Sequence, residues 1–320
     1  MSHFSVAVIM KDLSELDNLM LPYISECTGC CPPEYLEFCD ETDILREEYE
    51  SDDSIINIVD FGNGKICSLT DESLLKNTNG EEDRLGDEME AKGYPWKTMS
   101  VYENGVMVNK YYDYTGGTIR EGTYKELYAT FEEYVESLGI DYDENNGGYG
   151  YSTNPNGKWD GYRVGGRYRG LLKASDGEHA SPAAWEHDIS IEDGFYDIAQ
   201  IKNIDFRFDV DRYSDAKKEW EIMFEGAPHY HMSEDDYRML MCQAGFVEHR
   251  YGTKEVYALE RSTMTTDAVI TPDGNWHEVG GGNYGEETQE GLKKWIEEYY
   301  SRFFKEQDKE YYVAIVDCHI

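Results

Sequence analysis

Basic residues are scarce in this chain. Against 66 Asp and Glu stand only 29 Lys and Arg, which leaves a formal net charge of −37 over 320 residues. A protein that grips a nucleic-acid backbone must neutralise phosphates with clustered cations, so direct binding to that backbone is not expected. Long apolar runs are lacking too. No stretch approaches the roughly 18–20 residues needed to cross a bilayer, so no membrane association is expected. Residues 1–10 have neither a basic start nor a small-residue cleavage site; they read as a first strand and not a signal peptide, which implies a cytoplasmic protein. The seven cysteines, without a secretion signal, argue against a disulfide framework. Cys27-Thr-Gly-Cys30 has the gap of a zinc knuckle, but a closed site needs Cys31 or Cys39 and one more ligand. Cys67, Cys242 and Cys318 are isolated, so no second pair completes it. Also missing are a Gly-x-Ser-x-Gly elbow, a His-Glu-x-x-His helix and a dinucleotide fingerprint.

What is present is enough apolar matter for a core. Hydrophobic residues make up 40% of the chain and aromatics 14%, with 27 tyrosines suited to half-buried strands and recognition surfaces. Ile55 to Val59 reads as a strand, and Met99 to Tyr114 as a hairpin around Glu103-Asn104-Gly105. Thr123 caps an expected helix carrying Leu127, Phe131, Tyr134, Val135 and Leu138, ended by Gly139. Ile198 to Val210 suggests a strand. Ser233 starts a helix with Tyr237, Leu240, Met241 and Ala244, closed by Gly245. Val256 to Leu259 and Ala268 to Thr271 look like strands, with a turn at Pro272-Asp273-Gly274-Asn275. A long helix from about Glu287 to Lys305 and a buried-type strand over 311–316 complete the chain. No linker or repeat divides it. The expectation is one α+β domain over 1–320: a mixed or antiparallel sheet holding the N- and C-terminal strands together, with helices packed on it. It carries an acidic insertion around 40–90 and a Gly/Tyr-rich loop segment around 141–170.

Two constellations can carry chemistry. In residues 154–170, Asn154, Pro155, Asn156 and Gly157 have turn chemistry, and Lys158, Trp159, Asp160, Tyr162 and Arg163 follow. Gly165-Gly166 can let backbone N–H groups form an anion nest, and Arg167 can grip a phosphate or carboxylate. Trp159 and Tyr162 can stack on a base. The segment is a basic island in an acidic chain, so its ligand would be a nucleotide or phosphoester. It is no Walker loop, because no Gly-Lys-Ser/Thr follows. The alternative is packing: buried aromatics, Asp160 paired with Arg167 or Lys158, and a tight glycine bend. The second constellation is terminal. If the end strands pair, His3 nears Asp317 and His319, which share one strand face while Cys318 points into the core. Two imidazoles and a carboxylate suit a divalent metal or a general acid–base pair. His229-Tyr230-His231 with Glu234 is a weaker pair, and His179, His187, His249 and His277 stand alone.

Several segments resemble, in the same order, a family of tailed-bacteriophage proteins. They are Ser2-His3-Phe4-Ser5-Val6, Glu26-Cys27-Thr28-Gly29, the string NPNGKWDGYRVGGRYRG over 154–170, Asp273-Gly274-Asn275-Trp276-His277-Glu278 and Val316-Asp317-Cys318-His319-Ile320. Gly161 and Tyr168 stand where many members of that family carry tryptophan, and Cys30, Cys31 and Cys39 lie outside the shared pattern. The family has no established activity, so the resemblance implies an origin and not a mechanism. With the acidity, which serves solubility, salt adaptation or attraction of a basic partner, it implies a phage accessory protein. Such a protein would act in the host cytoplasm, binding and inhibiting or redirecting a host factor with a basic surface, an anti-phage defence factor being one such target. The competing expectation is a nucleotide-binding or nucleotide-processing protein, a sponge or phosphoester hydrolase, centred on 154–170. A virion component ranks last, because fibrous repeats are missing.

Overall fold

The computed structural model describes residues 3–62, 64–103, 106–180, 191–230, 232–281 and 288–320. The expectations that fall on Met1, Ser2, Asn104, Gly105, His187, His231 and Glu287 lie outside the described residues. The chain forms two compact units, Met1–Leu36 with Thr153–Ile320, and Glu37–Ser152.

The first unit is built on its two end strands. His3–Met10 is buried from Phe4 onward, and Tyr312–His319 is buried from Val313 to Cys318. Such continuous apolar strands are stable only when covered on both faces. They pair antiparallel over their whole length, from His3 opposite His319 to Met10 opposite Tyr312. Ala268–Ile270 lies parallel to the first strand, and Trp276–Glu278 folds back beside it. The turn between them is closed by Gly274, whose φ of 84° suits glycine. Gly161–Val164 and Ile198–Gln200 share the outer edge of the C-terminal strand. The result is a mixed six-stranded sheet of an α+β protein, with its N- and C-terminal strands side by side.

Alternation sorts the side chains onto two cores. Ala7, Ile9, Val313 and Ile315 meet Trp295, Tyr299 and Phe303 of the helix Gln289–Phe303. Val6, Val8, Ala314 and Val316 meet Met20, Ile24 and Trp159 on the other side. Three further helices, Val210–Phe224, Glu234–Tyr251 and Lys254–Arg261, bury Trp220, Met223, Val247, Tyr251 and Tyr257 among themselves and against Leu292 and Ile296.

Here the sequence reading needs three corrections. Val256 to Leu259 is helical: Thr253 accepts from Val256 N–H, and Val256, Tyr257 and Ala258 are buried within the helix Lys254–Arg261. Only Ile198–Gln200 of the expected 198–210 strand forms; Asp209 then caps a helix that begins at Val210. Gly245 does not end its helix, which runs on to Tyr251 and stops at Gly252 in the left-handed conformation.

The second unit holds three small sheets. Ile55–Asp60 pairs with Thr118–Thr123 and Ile66–Ser68, and Val106–Tyr112 pairs with Thr98–Glu103 and Leu75–Asn77. Glu37–Asp40, Gly148–Thr153 and Tyr142–Asp143 make the third. The expected helix after Thr123 breaks into Tyr124–Leu127 and Phe131–Ser137. Thr130 causes the break: its hydroxyl accepts from Glu133 N–H while Glu133 reaches back to Ala129 N–H, a reciprocal cap one residue offset from the usual box. Leu138 falls just beyond and is exposed.

Candidate functional site

Strand pairing places one polar face at the end of the large sheet. Gly161 lies opposite His319 and Arg163 opposite Asp317, while on the other side His3 and Ser5 oppose the same two residues. These six share the face that carries Ala7, Ile9, Val313 and Ile315 further along, so they form the open end of that core layer. The imidazole of His319 lies over Gly161, where a Cβ would sit 2.4 Å from Cε1. The ring centroids of His3 and His319 are 5.6 Å apart.

Asp317 organises this face. Its Oδ1 is 2.8 Å from His3 Nδ1, and its Oδ2 accepts the Arg167 backbone N–H at 2.9 Å. The carboxylate is almost fully buried, so it holds the His3 ring in one orientation with Nε2 directed away from it. Gly165 and Gly166, both at positive φ, wrap the chain around two such carboxylates. Behind them Asp197, fully buried, accepts Gly170 and Ala180 N–H groups and lies 3.6 Å from Arg169 Nε.

The backbone N–H groups around this bend serve the protein itself: Gly165 N–H goes to Ile315 O, Arg167 N–H to Asp317 and Gly170 N–H to Asp197. This corrects the assignment of Gly165 and Gly166 as ligand-binding residues. Arg167 differs. Its side chain is exposed and has no ion-pair partner among the described residues.

The rest of the 154–170 segment is structural. Asn154 is buried and donates to Pro22 and Ile24 carbonyls while its Oδ1 accepts Asn156 N–H. Lys158 pairs with Glu278 at 3.0 Å and not with Asp160. Trp159 and Tyr162 make no stacking platform: Trp159 is core, Tyr162 meets it edge-on, and the Tyr162 hydroxyl donates to Asp17. Asp160 contributes its backbone N–H to His319 O at 2.8 Å.

A second polar network adjoins the first. Ser5 gives both its N–H and its hydroxyl to Asp267 Oδ2, each at 2.7 Å. Arg250 reaches Asp267 Oδ1 at 2.6 Å and Glu260 at 3.3 Å, and Tyr251 donates to Glu260. Burial pushes the Glu260 carboxyl up, against the opposing pull of Arg250. Tyr168 donates to His3 O at 3.2 Å, and burial, with Asp267 and Asp317 nearby, raises its phenol well above the usual range. The sequence reading missed Ser5, Asp197, Arg250, Glu260 and Asp267. Nothing in their spacing links them; topology alone gathers them.

His3, Asp317 and His319 do meet, and Cys318 points into the opposite core. The divalent-metal expectation is nevertheless corrected. Asp317 spends both oxygens on His3 and Arg167, and among the described residues no group of three or more His, Cys, Asp or Glu could hold a metal ion. The same holds for Cys27, Cys30, Cys31 and Cys39. His229 stacks on Tyr237, with centroids 3.9 Å apart. No described helix is long and apolar enough to cross a membrane. Compared with known proteins, the chain matches no family model, no curated protein and no solved structure.

Proposed function

We propose that the chain is a phage-encoded accessory protein that docks on the basic face of a host protein, inhibiting or redirecting it, and that the Glu37–Ser152 unit makes the contact. One observation carries this reading: the unpaired acidity of that unit. Residues 37–152 hold 28 acidic residues against 9 basic ones. The helices Thr42–Glu50 and Phe131–Ser137 bury Leu45, Phe131, Tyr134 and Val135 together. Asp43, Glu47, Glu50, Glu132 and Glu136 stay in solvent with no ion-pair partner among the described residues. The one basic residue of these helices, Arg46, has its guanidinium 4.2 Å over the Phe131 ring. A surface left negative in this way raises the encounter rate with a cationic partner and loses that advantage in salt.

The test is retention of host-lysate proteins on the immobilised chain at about 50 mM and about 500 mM salt. A variant with those five carboxylates changed to glutamine runs alongside. A host protein should be held at low salt, released at high salt and lost, by about tenfold or more, on the variant. Equal retention on both proteins would sink the reading.

One observation favours a second reading, a nucleotide or phosphoester ligand. The two constellations seen in the sequence lie together, with Arg163 and Arg167 beside the His3–Asp317 pair and His319. Two imidazoles flanking an anion, with an exposed guanidinium to hold it, suit general acid–base chemistry at phosphorus. Asp317, Asp267 and Glu260 act against an anion here. Thermal-shift measurements with nucleotides and cyclic dinucleotides should raise the melting temperature by a few degrees at about 100 times Kd, and Arg167→Ala should abolish the shift. No shift with any of them removes this reading.

A further inference from the structure

The helix Glu234–Tyr251 turns an apolar stripe to solvent that nothing among the described residues covers. Leu240, Ala244, Val247 and Tyr251 form its inner face. At about 100° per residue, Met239, Cys242 and Phe246 lie on the opposite side. Met239 is 67% and Phe246 63% exposed. Asp235, Arg238 and His249 share that outer face and have no side-chain partner among the described residues. So does Gly245. A glycine inside a helix weakens it relative to alanine, and a Cβ here would meet nothing within 4 Å. No contact among the described residues explains it.

We infer that this stripe docks on a second copy of the chain, as an antiparallel helix pair centred on Cys242. Cys242 lies at the midpoint of the helix. A two-fold axis beside it sets each residue against those about as far along in the other direction, on the same edge of the stripe. Met239 then packs on Phe246 of the partner subunit, the two positions being seven apart and so on one edge. Arg238 crosses over Gly245 of the partner subunit on the other edge, where the missing Cβ lets the helices approach. Asp235 meets His249 of the partner subunit. The acidic first turn, Glu234 to Asp236, approaches the opposite helix's C-terminal end, and the helix dipoles oppose favourably. One stripe thus complements itself in size, charge and sequence order, as a two-fold interface requires.

Two features set the strength. A single helix pair is small beside the roughly 800 Å² per partner of a standard interface, so the dimer is reversible. The net charge of −37 repels a second copy, and salt screens that repulsion. Self-association therefore strengthens with salt, whereas the host contact proposed above weakens. The two readings fail separately.

The experiment is sedimentation equilibrium on the full chain under reducing conditions, over a range of concentrations at about 50 and about 500 mM salt. The mean mass should rise from 36.9 kDa toward twice that value with concentration, and further at high salt. Phe246→Asp should weaken association about tenfold or more by setting a carboxylate in an apolar contact. Gly245→Ala should weaken it while raising the melting temperature, a combination that simple misfolding does not produce. Mild copper-phenanthroline oxidation should give a cross-linked dimer, slowed by Phe246→Asp and lost in Cys242→Ser. A single 36.9 kDa species at every concentration and salt overturns the inference. So does cross-linking indifferent to Cys242→Ser.

Discussion

Gly166→Ala is expected to destabilise the large unit by about 2–4 kcal/mol, which lowers the melting temperature by roughly 5–15 °C. Two effects add. Gly166 sits at φ 51°, where an L side chain costs about 1 kcal/mol. A Cβ there would also lie 2.4 Å from both the Cβ and Oδ2 of Asp317. Asp317 has no room to yield. Its strand is paired on both sides, and its two oxygens hold His3 and the Arg167 N–H. Because the clash includes the Asp317 Cβ, shortening that residue to alanine gives no relief. Gly245→Ala, with open space around it, is the control and should stabilise the isolated chain. Thermal or urea unfolding of both variants decides the matter. If Gly166→Ala melts within a degree of the parent protein, Asp317 is not anchored, and the fixed orientation of His3 falls with it.

The end strands were legible because seven and six consecutive buried residues leave a strand no exposed face. Their pairing brought His3, Asp317 and His319 together with no further assumption. Periodicity failed where a short apolar run fits either structure. Val256, Tyr257 and Ala258 form one buried helical turn, and only the cap at Thr253 distinguishes that from a strand. Gly245 misled for the opposite reason, since a glycine after an apolar stretch ordinarily marks a helix end. In the 154–170 segment the sequence indicated a tight glycine bend but not the carboxylates that pack against it. Asp197 and Asp317 come from 27 residues and more away along the chain, and no local pattern announces them. Arg250, Glu260 and Asp267 were invisible for the same reason: each is an ordinary surface charge until helix and strand ends converge.

The sheet-end site depends on packing beneath it, and Tyr299 is where that dependence is greatest. Tyr299 is almost fully buried against Trp295, Phe303 and Phe304. Its hydroxyl lies 2.5 Å from Thr266 Oγ1, which also donates to Ala268 O, while Trp295 Nε1 holds Thr266 O. Asp267, the carboxylate that ties Ser5 to Arg250, lies between Thr266 and Ala268 in the chain and is fixed by them. Tyr299→Ala removes a ring and leaves a cavity, so it should cost about 3–5 kcal/mol. Tyr299→Phe keeps the ring and loses one hydrogen bond whose partner retains another, so about 1 kcal/mol is expected. Urea unfolding of the two variants separates packing from polar anchoring. A Phe variant as unstable as the Ala variant would place the stability in the hydroxyl chain, and Asp267 would then be held by hydrogen bonds more than by the core below it.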